Sequence, residues 1–153
     1  MSIKDKLKEL GLELPKAALP VAAYVPAVKT GNLVFVAGQL PLIDGKIVKE
    51  GKVGEEISPE EAKEMAGLCA LNALAAISLV ADIDQIKKIV RIGGFVNGIP
   101  GFTAIPPIID GASEFFIKLF GEVNGKHART AIGVAELPLN SPVEIEVLIQ
   151  LKC

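Results

Sequence analysis

Apolar positions along the chain change their period several times, and each change marks an element. Ile3, Leu7 and Leu10 recur at helical spacing within residues 2–10, and Gly11 follows as a stop. This predicts a short amphipathic helix laid on the rest of the chain, within an N-terminal extension of residues 1–14. Pro15 and Pro20 then punctuate an extended connector. Residues 24–29 and 33–37 read as the strands of a hairpin. Thr30, Gly31 and Asn32 make the turn, because Gly and Asn supply the backbone freedom it needs. The second strand, LVFVA, is apolar without alternation, which predicts burial on both faces. Gly38 follows and admits a bulge or the close approach of a ligand to backbone.

Residues 42–56 are mostly polar and rich in glycine, with Asp44-Gly45 a turn signal. Ser58, Pro59 and Glu61 then announce a helix: Ser58 can cap, Pro59 suits the first turn, and Glu61 closes a capping box. The helix should run to about residue 80, since Met65, Leu68, Cys69, Asn72, Ala76 and Leu79 keep a 3.6-residue period. Residues 86–97 are β-branched and predict a strand. A second helix spans 108–120, with Ile109, Ala112, Phe116 and Leu119 on one face and Gly121 ending it. Residues 130–137 and 143–151 predict two further strands. Hairpin, helix, strand, helix and two strands make an α+β fold, a single mixed β-sheet with two helices packed on one face. No repeat or linker interrupts it, so residues 1–153 are expected to form one domain.

Parity along the last two strands bears on assembly. Ile132 and Val134 share one face, as do Val143, Ile145, Val147 and Ile149, and these are the expected partners of the helices. The opposite face would carry Arg129, Ala131, Gly133 and Ala135 beside Glu144, Glu146, Leu148 and Gln150. Small residues mixed with charges suit a subunit interface with polar pockets better than a core. A homo-oligomer is therefore expected.

Composition narrows the function classes. The chain has 16 basic and 18 acidic residues, a formal charge of −2, and no Lys/Arg cluster interleaved with aromatics. A dedicated nucleic-acid partner leaves a basic footprint, so none is expected. The apolar run at 68–81 is too short for a membrane span, which takes roughly 18 residues. The mixed N-terminus does not read as a signal peptide, so the cytoplasm is the expected compartment. Cys69 and Cys153 suggest neither a disulfide scaffold nor a metal site, and Cys69 reads as a buried inert thiol.

With His127 the sole histidine, a Ser-His-Asp triad or a multi-His metal site is hard to build. His127 reads better as a group that orients Ala128 and Arg129. The glycines at 93, 94 and 98 lack the Lys and Ser/Thr of a phosphate loop. What remains is Arg129 with Glu144. Arg can hold a carboxylate through two parallel hydrogen bonds, and a carboxylate can orient water or take a proton. On residue spacing alone, a ligand clamp and a plain intersubunit salt bridge both stay open.

Two blocks resemble one family. Residues 24–41, YVPAVKTGNLVFVAGQLP, are similar to the first hairpin of the YjgF/RidA family: a Tyr, an apolar run, Gly-Asn, and a strand ending in Ser/Ala-Gly-Gln-hydrophobic-Pro. Residues 127–146 resemble its C-terminal signature, which runs from Arg129 through Leu137-Pro138 to Glu144-Ile145-Glu146. The resemblance covers about residues 18–152.

It implies a chorismate-mutase-like fold and a homotrimer whose intersubunit clefts hold small 2-oxo or imino acids. It also implies hydrolytic deamination of reactive enamines and imines to 2-oxo acids and ammonia, with no metal or organic cofactor. By position, Arg129 would clamp the ligand carboxylate and Glu144 would orient water. Tyr24 would line the wall, the Gly38 backbone would face the ligand, and Ala37 and Ala131 would complete the pocket. Many members have Ser at the position of Ala37 and Cys at that of Ala131, so this pocket should be more apolar. A non-catalytic 2-oxo-acid binding protein is the alternative. The endoribonuclease label of some members fits poorly with an acidic chain carrying one His.

Overall fold

The computed structural model of the chain describes residues 1–153. Helix α1, Ile3–Glu9, is followed by strands β1 (Ala27–Thr30), β2 (Leu33–Gln39), β3 (Leu42–Ile43) and β4 (Lys46–Ile47). Helix α2 (Pro59–Ile77), strand β5 (Ile86–Asn97), helix α3 (Pro106–Gly125), and strands β6 (Ala128–Val134) and β7 (Val143–Leu151) complete the order. Five strands form one mixed sheet in the order β1-β2-β7-β5-β6, and β3 pairs with β4 in a separate small hairpin. Only β5 and β6 run parallel, joined by α3. No helix is long and apolar enough to cross a membrane.

The helix starts follow their local chemistry. Ser58 Oγ accepts from the Glu61 amide at 3.1 Å, and the Glu61 carboxylate accepts from the Ser58 amide at 2.8 Å. Ser2 and Asp5 build the same reciprocal cap on α1. Helix α1 docks through Leu7, which is buried, and through its first amide, which donates to Asp84 at 2.6 Å. Helix α2 ends at Ile77, short of the expected 80, leaving Leu79 exposed. Helix α3 starts earlier than expected, at Pro106, whose missing N–H costs nothing in a first turn. Gly121 breaks it as foreseen, with φ 79°. Strand β1 begins at Ala27, three residues later than expected, because Pro26 has no N–H to pair.

Strand β7 alternates without fault. Val143, Ile145, Val147, Ile149 and Leu151 are buried in the core with α2 and α3, while the residues between them are not. Strand β2 also alternates, which corrects the expectation of burial on both faces. Val34 and Val36 enter the core, whereas Phe35 points away from it and is 49% exposed. Val28 and Leu148 pair with it on either side, and the open face also carries Ile132 on the far edge strand β6.

Two close approaches set the depth of α3. A Cβ on Gly94 of β5 would lie 2.5 Å from Ile109 Cδ1, and a Cβ on Gly111 would strike the carbonyl of Lys63 in α2. Without side chains at these positions, α3 sits low on the sheet and tight against α2. That depth places its next residues, Asp110 and Ser113, against strand β6.

Candidate functional site

Arg129 projects from β6 toward α3, not toward Glu144. Its NH1 donates to Asp110 Oδ1 at 2.7 Å and to Ser113 Oγ at 3.2 Å. Register explains the direction: Arg129 pairs with Ile92, which pairs with Val147, and both partners are buried on the helix side. Ala131 follows on that side against the core, and a Cβ on Gly133 would meet Ile105. Ile132 faces away and is 43% exposed.

The expected sharing of one face by Arg129 and Glu144 is therefore overturned, and so is the placing of Ile132 and Val134 under the helices. Parity states which residues share a face but not which face is covered. On an edge strand meeting the polar flank of α3, the charged residue turns inward to its partners and the isoleucine turns out.

His127 fixes the neighbouring roles. Its Nδ1 lies 2.7 Å from the Gly125 carbonyl oxygen and therefore carries the proton; Nε2, 2.9 Å from Ser113 Oγ, accepts. Ser113 thus donates to His127 and accepts from Arg129. Burial first, and the Arg129 charge after it, lowers the His127 pKa, while the bond to Gly125 works the other way. The imidazole stays neutral at pH 7, so it orients Ser113 and with it Arg129.

The second cluster lies on the open face and its rim. Glu144 pairs with Phe95, and Glu146 with Gly93. The Glu144 side chain occupies the space a Cβ on Gly38 would need, and Glu146 fills the corresponding space over Gly93. Glu146 accepts from Arg91 at 3.1 Å, and Arg91 also donates to Thr130 Oγ1 at 3.1 Å. Glu144 has no such cation. Burial, and then the Glu146 charge, raises its pKa above the ordinary carboxylate value.

Beside it opens a cleft of about 400 Å³ lined by Tyr24, Ala37, Gly38, Gln39, Leu40 and Leu139, among others. The structure thus brings Tyr24, Ala37, Gly38 and Glu144 together, and brings Arg129 and Ala131 together elsewhere. Asp110 and Ser113 escaped the sequence reading as site residues. Their signal was a three-residue spacing that puts two polar groups on one flank of an otherwise apolar helix.

Comparison with known proteins agrees with the architecture. The family model described as YjgF/chorismate_mutase-like, whose description also carries an endoribonuclease label, matches residues 4–151. Protein TCP17 of Trypanosoma cruzi is 38% identical over 150 residues, covering 97% of this chain and 94% of its own. The 2-iminobutanoate/2-iminopropanoate deaminase of Dermatophagoides farinae is 30% identical, with coverages of 90% and 93%. Among solved structures, Atu1372 of Agrobacterium tumefaciens, of unknown function, superimposes with a TM-score of 0.88 at 39% identity. Coverages there are 99% of this chain and 93% of that one.

Proposed function

The chain belongs to the YjgF family, and from that membership and the geometry above we propose that it hydrolyses small reactive enamines or imines to 2-oxo acids and ammonia. The observation that carries this reading is the state of Arg129. Its NH1 is anchored by Asp110 and Ser113, while Nε and NH2 have no partner in the chain. A guanidinium so held presents its Nε/NH2 edge as a ready fork for a carboxylate. The deaminase name of the mite relative supports the reaction class.

Arg129 and Glu144 lie on different faces of one sheet, on strands separated by β5. A site using both takes Arg129 from one copy and the Tyr24–Gly38–Glu144 cleft from another, in keeping with the homotrimer the family resemblance implies. In such a site the ligand carboxylate rests on Arg129. The oxygen of a water bonds to the imine carbon, and the proton it sheds passes to Glu144. A carboxyl whose pKa is raised is the stronger base for this step. Glu144 returns that proton to the nitrogen, giving the carbinolamine, and then relays the hydroxyl proton to the same nitrogen; the C–N bond breaks, its electrons leave with nitrogen as ammonia, and a carbonyl forms. The substrate is already activated, so positioning and charge complementarity suffice.

The test is to generate 2-aminoacrylate or 2-iminobutanoate with a dehydratase and follow ammonia release. Arg129→Ala should slow the protein-dependent rate by about 100-fold or more. A variant as fast as the parent overturns the mechanism. A second reading, ligand binding without turnover, is favoured by the apolar Ala37 and Ala131. Arg129-dependent binding of a 2-oxo acid with no acceleration of imine hydrolysis would select it.

A further inference from the structure

Leu139, in the loop between β6 and β7, is unusual twice over. It is an apolar residue left 65% exposed, and its backbone is left-handed, with φ 57° and ψ 23°. Asn140 after it is left-handed too, with φ 52°. Glycine and asparagine enter that region readily, whereas a leucine stays there only where its surroundings impose it. Those surroundings are specific. Asn97, fully buried at the end of β5, donates from Nδ2 to Asn140 Oδ1 at 3.3 Å and to the Ser141 carbonyl oxygen at 3.2 Å. Lys52 donates to Asn97 Oδ1 at 2.6 Å, which fixes the orientation of the amide. The Gly51 amide donates to the Asn140 carbonyl oxygen at 2.9 Å, and the Asn97 amide to that of Pro142 at 2.9 Å. These bonds hold the loop on both sides of Leu139, and its side chain is left to line the cleft that contains Tyr24 and Gly38.

We infer that Leu139 is a specificity-determining residue, making the cleft select 2-imino acids with an extended or branched aliphatic side chain over equally large polar ones. This rests on the cleft being the Glu144 half of the hydrolytic site. Glu144 lies against Gly38, so an imine carbon beside that carboxyl enters the cleft at Gly38 and turns its substituent to the remaining wall. That wall is apolar: Leu139 shares it with Leu19, Val21, Tyr24 and Leu40, and no Lys, Arg, Asp or Glu lines it. Gln39, its one amide side chain, is turned back on the Ala37 carbonyl oxygen at 3.0 Å. A polar substituent would lose its water there and find no partner in exchange. Size points the same way. At roughly 30 Å³ per heavy atom, the share a water molecule takes in the liquid, 2-iminopropanoate occupies about 180 Å³. The cleft holds about 400 Å³, so a longer aliphatic chain still has room.

The experiment compares the imines that an amino-acid oxidase makes from leucine and from asparagine, whose side chains match in size and branching and differ in polarity. Protein-dependent ammonia release by the full-length chain gives kcat/KM for each, and the readout is their ratio, which a general loss of activity leaves alone. The parent should favour the leucine-derived imine by about 10-fold or more, the cost of burying an amide without partners. Leu139→Gly should cut that ratio by about 5-fold, the part-burial of one leucine side chain against the ligand. Leu139→Asn should cut it further, because it adds a partner for the polar side chain. Both replacements suit a left-handed backbone, so thermal melts should show both folded. A parent that hydrolyses the two imines equally, or folded variants that keep the parent's ratio, overturns the role of Leu139 and leaves the hydrolytic reading standing. A parent that accelerates neither imine overturns that reading and this inference with it.

Discussion

Adding one methyl group at Gly111 should force the two long helices apart. The new Cβ would land on the carbonyl of Lys63, 2.9 Å from its carbon and 3.1 Å from the Lys63 Cγ. The carbonyl is backbone fixed within α2, so no rotamer change relieves the contact and α3 must shift. Helix α3 supplies Ile109, Ala112, Phe116 and Leu119, all fully buried, and a gap of roughly 0.5–1 Å forfeits a quarter to a half of each contact. Overpacking of this kind costs about 1–3 kcal/mol, and an unyielding backbone obstacle puts the cost at or somewhat above the top of that range. Alanine's better helix propensity returns about 1 kcal/mol.

The net loss of about 2–3 kcal/mol should lower the melting temperature by roughly 5–10 °C. Gly67→Ala is the control, because its Cβ would lie 3.5 Å from the Gly111 oxygen, an ordinary contact. That variant should keep the propensity gain and melt about 2 °C higher. Circular-dichroism melts of both proteins supply the comparison. Ligand titration of Gly111→Ala should also show weaker binding, because Asp110 and Ser113 move with α3. A Gly111→Ala protein that melts at or above the parent, or a Gly67→Ala protein equally damaged, would refute this account of the helix crossing.

Three further outcomes follow from the site and the core. The raised pKa of Glu144 means that its stabilising contribution is complete below the ordinary value, at about pH 4, and is lost as pH rises through the folded-state value. Glu144→Gln should therefore melt about 1–3 °C higher than the parent at pH 7 and no differently at pH 4; a gap that widens toward acid contradicts this. Gly38→Ala should displace the end of the flexible Glu144 side chain rather than any backbone. Imine hydrolysis should fall by about 10-fold or more with little change in melting temperature, whereas a large loss of stability would count against it. Burial raises the Cys69 thiol well above its ordinary pKa, while Cys153 is exposed. A thiol reagent should modify one cysteine per chain at once and the second only on unfolding, as mass spectrometry of the labelled protein will show.

Most elements were legible because a change of hydrophobic period or a cap marks each one. The Ser58–Glu61 box, the Gly121 break and the alternation of β7 are local features, written within a few residues of where they act. The direction of Arg129 is not local. It depends on the β6 register against β5, on Asp110 nineteen positions earlier in sequence, and on how deeply Gly94 and Gly111 let α3 settle. The family resemblance identified Arg129, Glu144, Tyr24 and Gly38 but did not say that one protomer keeps them apart. Phe35 misled for a related reason. An unbroken apolar strand reads as buried on both faces, yet one of its faces finds no cover within the chain.

The division of Arg129 and Glu144 between two faces has a meaning at the level of alleles. If one site draws its arginine and its carboxylate from different copies, a defect in each can be masked by the other. Chains carrying Arg129→Ala and chains carrying Glu144→Gln would each be inactive alone. Co-assembled at random in equal amounts, they would regain about a quarter of their sites, wherever the intact arginine of one kind meets the intact glutamate of the other. The same two lesions on one chain would leave nothing to exchange. Heredity would then distinguish two mutations in one copy of the gene from the same two mutations divided between copies.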